Sequence, residues 1–119
     1  MITNFPLETA ELTPEEKKLV PLLIQGFSTH GKNNPIKEPA IIKAINDNKE
    51  KFGLKKKLSG SRLRKLCNFI RRNGMIPLIG TSRGYYVSHD KEEIAKQITS
   101  LEERAAGILT GANGLKKFL

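Results

Sequence analysis

Ser61, Lys65, Asn68 and Arg72 recur at steps of four, three and four residues. On a helix turning about 100° per residue they form one line, with Arg64 and Arg71 flanking it. Arg and Asn can make paired hydrogen bonds to the edges of guanine and adenine, so Asn68 and Arg72 suit base contacts. Lys65 suits either a base edge or a phosphate. Ser61, next to the helix N-terminus, suits a phosphate, because free backbone N–H groups and the helix dipole favour an anion there. Lys55, Lys56 and Lys57 just before the helix suit the same role, as does Arg71 near its end. Arg83, in a later turn, suits a minor groove or a backbone grip.

Charge singles out the same stretch. From Gly53 to Arg83 there are nine cations and no Asp or Glu. The other 12 Lys and Arg match the 12 Asp and Glu of the chain, so the whole net charge of +9 resides in about a quarter of the sequence. Such a run repels itself and needs either solvent counterions or an anionic partner. A solvated basic face is the plain alternative.

The stretch 59–88 predicts a helix followed by a β-hairpin. Ser59 and Ser61 are candidate N-caps. Asn73-Gly74 predicts the stop, since glycine past the last turn tolerates positive φ. Leu63, Leu66, Cys67 and Ile70 form an apolar stripe opposite the polar line. Two β-like runs follow, Met75–Ile79 and Tyr85–Val87, joined by the loop Gly80–Gly84.

Upstream, Thr13-Pro14-Glu15-Glu16 predicts a capping box with proline at the first helical position. A wide apolar arc follows (Leu19, Val20, Leu22, Leu23, Ile24, Phe27), as expected of a central helix. Pro21 predicts a kink or a restart, because it lacks the N–H that would bond Lys17. Residues 28–37 read as a loop in which Ile36 can form a short strand paired with the hairpin. Pro39 opens a further helix carrying Ile41, Ile42, Ile45 and Phe52 and stopped by Gly53. Leu54–Leu58 is a basic connector. Downstream, Asp90 and Glu93 predict another capping box. Ile94, Ile98, Leu101, Ala105 and Ile108 then follow an a/d pattern over about two heptads. That stripe fits either dimerisation or a helix folded back on its own domain. Gly107, Gly111 and Gly114 predict weakening helicity, and residues 115–119 a loose tail. The domain expectation is an arm at 1–12, a folded domain at 13–89, and a C-terminal helix and tail at 90–119.

The order helix, short strand, helix, helix, hairpin resembles the winged-helix branch of helix-turn-helix proteins. The segment RLRKLCNFIRRNGMIPLIGTSRGYYVSHD, leading into a capped amphipathic helix, resembles small winged-helix proteins encoded by phages and prophages. The resemblance covers residues 13–109. It implies a mainly α fold with a small hairpin, a recognition helix at 59–73 and a wing at 76–87. It also implies that Tyr85 and Val87 face inward and Tyr86 outward. The function it implies is binding of double-stranded DNA as a transcription or replication regulator, in the cytoplasm of a bacterium or an infected host cell. The connector at 52–58 departs from the tight turn of a plain helix-turn-helix. The rival expectation is an assembly module whose basic face docks on an acidic protein, since fold does not fix function.

Other classes find little footing. His30 and His89 are isolated and Cys67 stands alone, so no metal site, no cofactor and no disulfide is expected. Cys67 reads as a small core residue in a reducing compartment. No nucleotide-binding loop or nucleophile motif is present, so no enzyme is expected. There is no apolar run near 18 residues and no leader pattern, so no membrane association is expected. With 6% aromatic residues and no Trp, a base-stacking RNA platform is disfavoured.

Overall fold

The computed structural model describes residues 10–119, so the first nine residues of the expected arm lie outside it. The chain divides into two units, one ending at Ser88 and the other spanning His89–Leu119.

The first unit opens on α1, Pro14–Lys17, which starts as expected. Thr13 Oγ1 accepts from the Glu16 N–H at 3.1 Å, and Glu16 Oε1 accepts from the Thr13 N–H at 2.9 Å. Leu12, expected in the arm, is buried in the core. The helix breaks at Lys18 and restarts as α2, Leu19–Phe27, with Pro21 in its first turn. There the missing N–H costs nothing, because a first-turn donor has no helical acceptor. Leu19, Val20, Leu23 and Phe27 are buried, but Leu22, expected inward, is 45% exposed. α3, Glu38–Asp47, ends six residues before Gly53. Its last turn runs into Asn46-Asp47-Asn48, poor helix formers whose side chains compete for backbone groups; Asn48 Nδ2 donates to the Ala44 carbonyl. A series of turns then leads to Gly53, whose φ is 72°.

α4, Gly60–Arg72, follows the connector. Its stripe of Leu63, Leu66, Cys67 and Ile70 is at most 1% exposed. Burying each aliphatic is worth roughly 1.5–3 kcal/mol, so the core fixes which side of α4 faces water. The hairpin pairs β1, Leu78–Thr81, with β2, Gly84–Val87, in the register Leu78 to Val87 and Thr81 to Gly84. The loop is thus only Ser82-Arg83, shorter than the expected five residues, because Gly80, Thr81 and Gly84 join the ladder.

Ile36 pairs with Tyr85 as the expected extra strand, reduced to one residue. The Ile36 N–H donates to the Tyr85 carbonyl at 2.9 Å, and the Tyr85 N–H donates to the Ile36 carbonyl at 2.8 Å. Tyr85 and Val87 pack on the core, and the Tyr85 ring lies 5.6 Å from that of Phe27. Tyr86, expected outward, is only 6% exposed; its cross-strand partner Ile79 is 5% exposed. Both faces of the hairpin are therefore shielded from water.

The second unit is α5, Lys91–Leu115, followed by a 3₁₀ turn, Lys116–Phe118. Asp90 caps it, accepting from the Glu92 N–H at 2.8 Å. The glycines do not end the helix, and residues 116–118 continue it as a turn rather than a loose tail, since none of these glycines has positive φ. Among the described residues no helix is long and apolar enough to cross a membrane.

Candidate nucleic-acid interface

α4 is fastened at both ends. Ser59 Oγ accepts from the Arg62 N–H at 3.2 Å and caps the N-terminus. At the C-terminus Gly74 adopts φ 60°, its N–H bonds the Arg71 carbonyl, and the Met75 N–H bonds the Ile70 carbonyl. These two bonds form a Schellman motif, which turns the chain sharply toward the hairpin.

The connector ahead of α4 is ordered by apolar anchors and one amide. Leu54 and Leu58 are 8% and 5% exposed and hold its ends in the core. Asn46 of α3 grips Leu58 twice, its Oδ1 accepting from the Leu58 N–H at 2.7 Å and its Nδ2 donating to the Leu58 carbonyl at 3.1 Å. Lys55, Lys56 and Lys57 lie between the anchors and are all exposed. Asn46→Ala removes both bonds and leaves a half-buried peptide short of partners. A stability loss of about 1–3 kcal/mol is expected, to be read from urea unfolding. A variant as stable as the wild type would show that the connector is held without the Asn46 amide.

The expected residues fall into three groups. Lys55, Lys56, Lys57, Asn68, Arg72 and Arg83 are exposed, and Arg83 occupies the hairpin turn. Arg72 lies over the ring of Phe69, with its guanidinium carbon 6.0 Å from the centroid, which steadies a long side chain. Ser61 and Lys65 are half-buried on the same line. Lys65 Nζ is 3.9 Å from Glu11 Oε1. Arg64 is exposed but already paired, its Nη1 donating to Glu38 Oε1 at 2.7 Å. Such a surface pair is weak and can exchange for another anion.

Arg71 departs from expectation. It is half-buried, and its Nε donates to the Leu78 carbonyl at 3.0 Å. The turn at Gly74 brings β1 back beside the last turn of α4, so Arg71 straps helix to hairpin. Arg62, counted among the nine cations, is likewise structural. It makes a two-pronged pair with Glu16, Nε to Oε2 at 2.8 Å and Nη2 to Oε1 at 2.6 Å, and its guanidinium also bonds the carbonyls of Ala10 and Glu11. These bonds hold the Glu16 carboxyl below its ordinary pKa and raise that of Arg62.

The supports Asn46, Glu16, Glu38 and Arg62 escape a sequence reading. Glu16 is legible as a cap, but its second role joins residues 46 apart. The only hint in Arg62 is its place at the margin of the apolar stripe. Cys67 is buried, and desolvation pushes its thiol up to about 11, so it stays protonated near neutral pH. Among the described residues no group of three His, Cys, Asp or Glu is placed to hold a metal.

The exposed amide and cations thus lie on the connector, on the second half of α4 and on the hairpin turn. Groups of these types can bind a polyanion, with hydrogen bonds offered by Asn68 and Arg72. No protein-family model, curated protein or solved structure matches the chain.

Proposed function

We propose that the chain is a winged-helix protein that binds double-stranded DNA, with α4 as the recognition helix and the β1–β2 hairpin as the wing. Its biological role would be a phage- or prophage-type regulator of transcription or replication. The observation that carries the reading is the coincidence of three features: the charge excess, the solvent-facing line of α4, and the hairpin turn. Asn68 and Arg72 are one helical turn apart and exposed, as base contacts in a major groove require. Lys55, Lys56, Lys57 and Arg83 would take phosphates, with Ser61 and Lys65 beside them. Arg64 would join by exchanging Glu38 for a phosphate. Arg62 and Arg71 serve the fold instead, which leaves six cations, Lys55, Lys56, Lys57, Arg64, Lys65 and Arg83, to supply roughly five phosphate contacts.

Five contacts give an expected slope of log affinity against log salt of about −4 to −5. Fluorescence anisotropy with duplex DNA over a salt series measures it. Selection from a random duplex library supplies a preferred site. On that site Arg72→Ala and Asn68→Ala are each expected to cost about 1–3 kcal/mol and to relax preference locally. Lys56→Ala should weaken all duplexes alike. A slope near zero, or a preference untouched by both substitutions on α4, would sink the DNA reading. Salt-sensitive capture of an acidic protein without DNA binding would favour the assembly-module reading.

A further inference from the structure

Every residue from Ile98 to Leu119 is exposed, and Ile108, Leu115 and Phe118 are 73%, 69% and 77% exposed. An exposed helical stretch draws little stability from tertiary packing, which supplies most helical stability in proteins. Gly107, Gly111 and Gly114 lower its propensity further. None of the three has positive φ, and a Cβ built on any of them would meet nothing within 4 Å. The single chain gives no steric reason for them. Because α5 continues to Leu115, the alternation of four and three that begins at Ile94 runs on past Ile108 through Ala112 to Leu115, with Leu119 four residues on, past the 3₁₀ turn. The stripe is therefore more than three heptads long, and a seam of that kind calls for a second helix.

We propose that the segment 101–119 pairs antiparallel with the same segment of a second copy of this chain. The proposal concerns the C-terminal unit alone and does not rest on the DNA reading. Parallel packing in register would set Ala105 on Ala105 and Ala112 on Ala112, leaving gaps between the larger residues. It would also bring no opposite charges together at the flanking positions. Antiparallel packing centred near Thr110 sets Ala112 against Ile108 and Ala105 against Leu115, so each small residue faces a large one. Glu102 then lies beside Lys116 of the second copy, twice by symmetry. Gly111 meets Gly111, which leaves room for close backbones. Sliding by one heptad puts Glu102 beside Leu109 and loses both ion pairs. Charge and volume therefore select one orientation and one register.

Light scattering on the full chain is expected to give a dimer in the micromolar range. A nitroxide at Lys96→Cys reports orientation, since Lys96 is exposed and Cys67, at 1% exposure, does not take the label. The antiparallel register separates the two labelled positions by about 40 Å, from a rise of about 1.5 Å per residue. A parallel pair would hold them within about 20 Å. Lys116→Glu should weaken the dimer about tenfold by turning two attractions into repulsions, and adding Glu102→Lys should restore it. Circular dichroism on each variant checks that helicity is kept. A chain monomeric throughout, a short label separation, or a charge reversal without effect or without rescue would overturn the proposal.

Discussion

Arg62→Ala is expected to lower folding stability by about 3–5 kcal/mol, the usual cost of leaving one partner of a buried ion pair alone. The side chains of Arg62 and Glu16 are only 12% and 11% exposed, and the pair is two-pronged with contacts of 2.6 and 2.8 Å. The substitution also frees the carbonyls of Ala10 and Glu11 and loosens the entry to α1. Urea unfolding at neutral pH measures the loss. The acid limb gives an independent check. Glu16 has a folded pKa below its ordinary value of 4.5, so its contribution is complete above that value and fades as pH falls through the folded pKa. The gap between wild type and variant should therefore narrow in acid. If the proposed DNA reading holds, conditions that keep the variant folded should leave its duplex affinity nearly unchanged, because Arg62 faces Glu16 and not solvent. A variant as stable as the wild type, with a gap constant in pH, would show that the pair contributes nothing.

Gly84→Val is the second large effect. Gly84 has φ 129°, and a Cβ there would lie 2.5 Å from the Ile36 carbonyl oxygen and 2.7 Å from its carbon. Both atoms are backbone, so no side chain can swing aside. Strain at such a φ costs roughly 1–3 kcal/mol. The two Ile36–Tyr85 hydrogen bonds, at roughly 0.5–1.5 kcal/mol each, would be stretched or lost as well. The expected loss is about 3 kcal/mol or more, with disturbed packing of Tyr85 on Phe27. Gly53→Ala is the control: its φ is also positive, at 72°, but nothing lies within 4 Å of a Cβ there. It should cost about 1 kcal/mol. Thermal unfolding of both variants compares them. A Gly84→Val protein no less stable than Gly53→Ala would mean that Ile36 and β2 are not held together as described.

Local signals in the sequence sufficed wherever one residue answers to its near neighbours. The Thr13–Glu16 box, the Ser59 cap, the Gly74 stop and the Leu63–Ile70 stripe all depend on spacings of five residues or fewer. Periodicity and backbone chemistry carry that information along the chain. Even the line of Ser61, Lys65, Asn68 and Arg72 follows from helical spacing, once the apolar stripe declares which face is inside. Local rules misjudged elements whose outcome depends on competing contacts. α3 ends at Asp47 because Asn46 is drawn to Leu58, twelve residues away, and Asn48 to its own helix. The hairpin loop shrinks because cross-strand bonds recruit Gly80, Thr81 and Gly84.

Charge shows most plainly what tertiary structure alone decided. Nine cations without an acid in 31 residues of sequence look equivalent along the chain. Folding sorts them: Arg62 goes to Glu16, Arg71 to the Leu78 carbonyl and Arg64 to Glu38, Lys65 is half-buried, and Lys55–Lys57, Arg72 and Arg83 stay in solvent. The reason is that a guanidinium reaches several ångströms and binds whichever acceptor the packing brings near. Residues 7 to 46 positions apart become neighbours only after the helices have docked. Residue order along the chain therefore determined that this protein carries a basic stretch and an apolar stripe. Which of its cations remain available for a ligand was decided by the packing of α1, α3 and β1 around α4.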